Sequence, residues 1–127
     1  MKLTFNTTMN LLEALRELAT EKLPFKLSMI LAKNIATLEK EEEFFITQER
    51  EFALKYLAME NGQFVQEREG VFKINEGMED ECREAREALN TFEVDAEIRM
   101  IPVSLIENME FAPKALMALE DILDEEA

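Results

Sequence analysis

The chain has 127 residues, 47% of them apolar and 33% charged, with 28 acids against 14 bases and a net charge of −14. That length suits one domain able to bury an ordinary core without disulfides, and the apolar fraction excludes a chain disordered throughout. The charge disfavours direct binding of nucleic acid or of an anionic membrane, both of which draw on Lys and Arg, and favours a basic protein partner.

In chain order, the opening MKLTF alternates and reads as a short strand. Asn6, Thr7 and Thr8 offer helix starts, and Asn10 with Glu13 fits a relaxed capping box. Leu11, Leu12, Leu15, Leu18 and Ala19 then fall at helical spacing, which predicts a helix ended near Leu23 by Pro24, so residues 1–23 are a strand plus a helix. Pro24 opens a second helix, and no Gly or Pro interrupts the chain from Phe25 to Glu60. Residues 24–60 are thus one long helix stopped by Asn61-Gly62. QFVQEREGVFKI, residues 63–74, reads as a hairpin turning near Gly70. Met78, Cys82, Ala85, Leu89 and Phe92 mark the seam of an amphipathic helix within 76–92, with Cys82 a small buried apolar residue. EVDAEIRMI, residues 93–101, alternates as a strand with one dry and one wet face. Ser104 with Glu107 fits a capping box, and Pro113 starts a last helix with Leu116, Leu119, Ile122 and Leu123 on its dry face, giving C-terminal helices over 104–124 and an acidic tail. The expected fold is a single α+β domain over 1–127. It is mostly helical, with one long helix (about 25–60) and shorter helices packed on a small antiparallel sheet that pairs the first strand with residues 93–101.

The long helix carries the one stretch that could hold chemistry, LEKEEEFFITQEREF at residues 38–52. On a heptad, Leu31, Leu38, Phe45, Phe52 and Met59 form a seam whose companions are Ile35, Glu42, Glu49 and Tyr56. A metal site would use Glu39, Glu42, Glu43 and Glu49. Helical metal sites draw acids from several facing helices, and the di-iron type needs a histidine. The sequence favours a solvated face, paired in part with Lys40 and Arg50. The helix middle is expected to pack mainly within the chain, with a self-paired dimer as the alternative.

Absences exclude most other chemistry. The chain has no histidine, which removes Ser–His–Asp triads, Cys–His dyads and His-ligated metals. One cysteine excludes an intrachain disulfide and a multi-cysteine zinc site, and Gly62, Gly70 and Gly77 cannot write a Walker loop or a GxGxxG fingerprint. Glu93, Asp95 and Glu97 would suit a Mg²⁺-dependent phosphate-cleaving site, but Arg99 stands where a proton-carrying Lys is wanted. No cofactor is expected. Met29, Met59, Met78, Met100, Met109 and Met117 read mostly as gap-fillers on dry faces. Met1-Lys2 leads into an alternating stretch rather than an apolar leader, and no apolar run approaches the roughly 20 residues of a membrane span.

MKLTF at the start, LAKNIATLEKEEEFF in the long helix and EVDAEIRMIPVSLIENMEFAPKALMALEDIL at the close resemble a family of small proteins of tailed phages and prophages of Firmicutes. The resemblance implies a phage origin and the bacterial host cytoplasm, and it transfers no active residues.

The expected function is therefore non-enzymatic: a phage accessory protein that binds another protein. The charge is lopsided, with a net of −2 over residues 1–60 and −12 over 61–127. The candidate contact residues are Glu76, Glu79, Asp80, Glu81, Glu84 and Glu87, then Glu93, Asp95 and Glu97, with further acids over Glu120–Glu126 and the aromatic residues Phe44, Phe45 and Phe52. In the sharpest version these carboxylates stand in for phosphates in the nucleic-acid groove of a host defence protein. The alternatives are a virion- or tail-assembly factor or chaperone, with homo-oligomers possible, and the Mg²⁺-dependent enzyme.

Overall fold

A computed structural model describes residues 1–125 and divides the chain into two compact units, Met1–Glu42 together with the residues from Glu93 on, and Glu43–Phe92. The architecture is α+β and mostly helical.

The first unit opens with β1 (Lys2–Leu3) and α1 (Phe5–Leu18). Thr4 caps the helix: its hydroxyl accepts from the Thr7 amide at 3.3 Å, and the Thr7 hydroxyl accepts from the Thr4 amide at 2.8 Å. The helix thus starts before the expected Asn10–Glu13 box, because Thr4–Thr7 satisfies the orphan amides at once. It buries Thr8, Leu11, Leu12, Ala14, Leu15 and Leu18. It also ends short of Leu23, since the Thr20 hydroxyl and amide both turn back to the Glu17 carbonyl at 2.8 and 3.3 Å.

Helix α2 (Phe25–Tyr56) runs 32 residues and lends its first part to this unit, where Leu27, Leu31 and Leu38 are buried. Asn34 lies on the same dry stripe and is also fully buried. Its side-chain amide donates to the Arg99 carbonyl at 2.9 Å and accepts from the Arg99 amide at 2.8 Å. A carboxamide presents the same donor and acceptor as a peptide, so Asn34 takes the place of a neighbouring strand.

That substitution explains the shortened strand at 93–101. β6 (Val94–Asp95) pairs antiparallel with β1, as expected, with Lys2 opposite Asp95 and Leu3 opposite Val94. The Ala96 amide still reaches the Met1 carbonyl at 2.8 Å, and then the backbone partner runs out. The alternation persists without a ladder: Ala96 is buried and Ile98 half-buried, between exposed Asp95, Glu97 and Arg99. It slips by one at Met100, which is exposed, while Ile101 is buried. β7 (Ile101–Pro102) pairs with β8 (Leu123–Asp124), and this pair is parallel rather than part of an antiparallel sheet.

The expected Ser104–Glu107 capping box does not form; Val103–Leu105 is a single 3-10 turn closed by the Ile106 and Glu107 amides on the Val103 carbonyl. α4 (Pro113–Leu119), with Pro at its start, and a 3-10 turn (Glu120–Ile122) bury Leu119 and Ile122, leaving Leu116 exposed. Residues 126 and 127 of the acidic tail lie outside the described residues. Most of the named methionines do not fill the core: Met29, Met59, Met100 and Met117 are exposed and Met78 is half-buried, while Met109 packs half-buried against the core cluster.

The second unit is an antiparallel pair of helices joined by a β-meander. α2 ends at Tyr56, four residues before Glu60, because 59–60 leave the helix as β2 (Met59–Glu60), paired with β3 (Gln63–Phe64). Asn61 and Gly62 have φ of 52° and 79°, the two positive values that a primed two-residue hairpin turn needs. β4 (Gln66–Arg68) and β5 (Val71–Phe72) form the second hairpin, with a bulge between Gln66 and Arg68. The three extended segments also close on one another. The Ala58 amide donates to the Lys73 carbonyl (2.9 Å), the Lys73 amide to the Val65 carbonyl (2.8 Å) and the Val65 amide to the Ala58 carbonyl (3.0 Å). This cycle satisfies strand edges that would otherwise be open. Asn75 caps α2 from a distance, its amide on the Tyr56 carbonyl (2.8 Å) and its side chain on the Lys55 carbonyl (3.4 Å). α3 (Glu79–Thr91) completes the unit, with Glu79, Asp80 and Glu81 in its first turn.

Three stability predictions follow from the buried side chains of Asn34 and Thr8. Asn34→Ala leaves the Arg99 amide and carbonyl, part-buried at that contact, without this partner and should cost about 1–3 kcal/mol in urea unfolding. Asn34→Asp keeps the acceptor and buries a charge that faces the Arg99 carbonyl. Burial raises the introduced carboxyl's folded-state pKa, so the ionisation penalty is absent below the unfolded value of about 3.9 and grows as pH rises. Its stability deficit relative to the unaltered chain should therefore shrink from pH 7 toward pH 4. Conversely, the Thr8 hydroxyl is buried with no hydrogen-bond partner. Thr8→Val should stabilise by about 1 kcal/mol.

Candidate protein-binding surface

In the second unit, three contacts set the register of α2 against α3. Phe44 meets Phe92 with ring centroids 5.8 Å apart, Glu49 meets Arg86, and Tyr56 meets Glu81 through its hydroxyl at 3.4 Å. The order is opposite on the two helices, so they run antiparallel.

Arg86 holds the middle. Its two terminal nitrogens donate to the two Glu49 oxygens at 2.8 and 2.7 Å, and one also donates to the Asn90 side chain at 3.0 Å. The guanidinium lies over the Phe52 ring, 4.2 Å from its centroid. The forked geometry of this pair suits arginine alone, and the Glu49 carboxylate raises the Arg86 pKa further above its ordinary value. At the meander end, Tyr56 and Glu81 together raise the Lys55 pKa, Tyr56 first, with the Lys55 ammonium 3.5 Å from the Glu81 carboxylate.

The unit buries little. Only Phe45, Tyr56 and Cys82 are fully enclosed within Glu43–Phe92, while Phe44, Ile46, Leu54, Met59, Phe72 and Phe92 are exposed. An apolar groove of about 460 Å³ runs between the helices, floored by Phe44, Phe52 and Tyr56 from α2 and by Ala85, Ala88 and Leu89 from α3, with Phe92 at its end.

The expected acidic residues separate into two groups. Glu79, Asp80, Glu81, Glu84 and Glu87 are exposed on α3, with Glu76 exposed just before it. Among these, Asp80 pairs with Arg83 at 3.4 Å and Glu81 with Lys55. Glu93, Asp95 and Glu97 are exposed in the other unit, where Asp95 accepts from the Met1 amino group at 2.9 Å. That ammonium, by hydrogen bond and charge, lowers the Asp95 pKa. Of the aromatic residues, Phe44 is 38% exposed and Phe52 half-buried, but Phe45 is completely enclosed and offers no surface to a partner. The heptad explains this: Phe45 continues the stripe of Leu31 and Leu38, and Phe44 points a third of a turn away.

The glutamates of the 38–52 stretch go to arginines on other helices rather than to Lys40 and Arg50. Arg16 approaches Glu39 at 3.3 Å and Glu42 at 3.5 Å, and Arg86 takes Glu49. Among the described residues, no three His, Cys, Asp or Glu side chains are grouped to hold a metal, and no helix is long and apolar enough to cross a membrane. Phe92, Ala88 and Arg86 are the surface residues that periodicity missed. Phe92 reads as a core seam position in the sequence, yet it is 49% exposed because α3 has already ended at Thr91.

The chain matches no protein-family model, no curated protein and no solved structure.

The Arg86–Glu49 fork should show in a double-mutant cycle. Combining Arg86→Ala with Glu49→Gln in chemical denaturation should give a coupling of about 1 kcal/mol, above a typical exposed pair. Arg86→Lys should recover less than half of it, since an ammonium makes neither the fork nor the planar stack on Phe52.

Proposed function

We propose that this chain is a non-enzymatic accessory protein of a phage or prophage, working in the bacterial host cytoplasm, that binds a basic protein through its second unit. The observation that carries this reading is the exposed face of α3, where five carboxylates are displayed beside an open apolar groove. The unit holds twelve acids and six bases, and two of those bases, Lys55 and Arg86, are already paired with Glu81 and Glu49. Its outward potential is negative, which speeds encounter with a basic surface and repels nucleic acid. The sharpest form of the proposal has these carboxylates occupy the nucleic-acid groove of a host defence protein.

The test is an affinity measurement against a basic nucleic-acid-binding protein recovered from infected host lysate. Affinity should fall steeply from about 50 mM to about 500 mM salt. Glu79→Gln, Glu84→Gln and Glu87→Gln together should weaken it at least tenfold, about 1.4 kcal/mol. Glu93→Gln with Glu97→Gln should leave it unchanged. Because the chain has no histidine, none of its side-chain types ordinarily changes charge between about pH 6 and 8, so the contribution of α3 to binding should be flat there. Affinity indifferent to salt, or equal loss from the two sets of substitutions, would refute the assignment to α3.

A further inference from the structure

The groove between α2 and α3 has a directional pattern of charge that defines an occupant. Two neighbouring ridges of α3 run along it at four-residue spacing, Glu81–Ala85–Leu89 and Glu84–Ala88, the second prolonged by Phe92 just past the helix end; the two alanines, Leu89 and Phe92 line the groove, and the glutamates stand one turn before the alanines. Each ridge begins with a glutamate, passes through an alanine and ends on a large apolar side chain. The alanines are what open the groove, because an ordinary core residue at either position would fill it against Gln48 and Phe52 on α2. Across the groove, Glu51 joins the acidic end, where Lys55 is already engaged by Glu81. The opposite end is aromatic, closed by Phe44 against Phe92.

We infer that this groove receives an amphipathic α-helix from a basic partner. The helix would lay aliphatic or aromatic anchors over Ala85 and Ala88 and place Lys or Arg beside Glu51, Glu81 and Glu84. This deepens the reading of the second unit as the site for a basic protein, and rests on it. The α2 wall from Phe44 to Tyr56 spans about 18 Å, which matches about three to four turns of helix. The two existing helices with a third would make a three-helix layer that covers Phe44, Phe92 and Leu89, the surface a unit with three enclosed residues leaves wet. A second copy of this chain is a poorer match, since it would bring its own surplus of carboxylates to an acidic rim.

The experiment uses the full chain and three designed peptides of about 15 residues each. One alternates Leu and Lys at helical spacing to give an apolar face, one has the same composition scrambled to destroy that face, and one replaces Lys by Glu on the amphipathic template. Binding is read by calorimetry or fluorescence anisotropy. Two variants accompany them: Ala85→Gln with Ala88→Gln, which fills the groove with polar atoms and retains helix-forming residues, and Glu51→Gln with Glu84→Gln. Circular dichroism checks that both fold.

The Leu/Lys amphipathic peptide should bind at least about tenfold tighter than either other peptide. Both variants should lose about tenfold or more. If the scrambled peptide binds as well as the amphipathic one and the glutamine-filled groove makes no difference, the negative field acts without the groove, so this inference fails while the basic-partner reading stands. If the acidic amphipathic peptide binds as well as the basic one, the charge complementarity fails and both fall. No binding of the basic amphipathic peptide overturns the inference directly. A dimer in sedimentation that dissociates when Ala85 and Ala88 become Gln would give the groove to a second copy and overturn it as well.

Discussion

The dry stripe of α2 is the constraint on which the rest of the structure depends. Leu27, Leu31, Asn34, Leu38, Phe45 and Tyr56 lie along one line of a single 32-residue helix, all buried. Most of a helix's stability in a folded protein comes from packing of its apolar face rather than from propensity, so this one persists because the stripe is covered. In one unit the cover is α1 and the segments after Glu93, and in the other α3 and Asn75 close over Tyr56. Asn34 shows how strict the stripe is. A polar residue there is tolerated because its amide nitrogen and oxygen each bond the Arg99 backbone, and that pair of bonds in turn fixes where the 96–100 segment runs.

The two units meet this constraint by different means. The first encloses a cluster of leucines and isoleucines from α1, α2, α4 and the strands, and its stability follows from buried apolar area. The second has three enclosed residues and relies on directional bonds: the fork of Arg86 on Glu49, the cation over Phe52, and the closed cycle of Ala58, Lys73 and Val65. Hydrogen bonds and half-exposed ion pairs each contribute about 1 kcal/mol, against about 1.5–3 for a buried Leu. A unit held this way stays ordered while leaving large apolar side chains in water, which a binding surface requires and a finished core does not.

Much of the helical framework was legible in the sequence, and the reason is periodicity. The stripes of α1 and α2 and the helical course of α3 follow from spacing, and the expected pairing of the first strand with the 93–101 segment forms between Lys2–Leu3 and Val94–Asp95. The misreadings share a cause too: one signal served two structures. Asn61-Gly62 reads equally as a helix stop and as a primed hairpin turn, and the residues before it, Leu57 to Glu60, carry no breaker. What removes them from the helix is the cycle of backbone bonds to Val65 and Lys73, which is long-range and leaves no local mark. The strand at 93–101 shortened because its neighbour is a side chain, Asn34, 65 positions away from Arg99. The groove was invisible for a related reason. Alanine counts as apolar in any periodic pattern, and only the register of α3 against α2 turns the seam residue Ala85, with Ala88 beside it, into an opening.

On the proposed reading, charge and shape in the second unit would divide the work of recognition. Carboxylates on the outer side of α3, such as Asp80 and Glu87, act across a Debye length of about 8 Å in physiological salt, so they raise the rate of encounter without needing a defined partner geometry. They cannot by themselves hold a complex, since exposed ion pairs are weak and screened. Lifetime has to come from apolar surface removed from water, and the groove is where α3 brings such surface within reach of carboxylates. Glu81, Ala85 and Leu89 on one ridge, with Glu84, Ala88 and Phe92 on the next, place the attracting charge and the enclosing shape one helical turn apart. On the proposed reading, a partner that satisfies only one of them, a polycation with no apolar face or an apolar helix with no bases, would be rejected by the other.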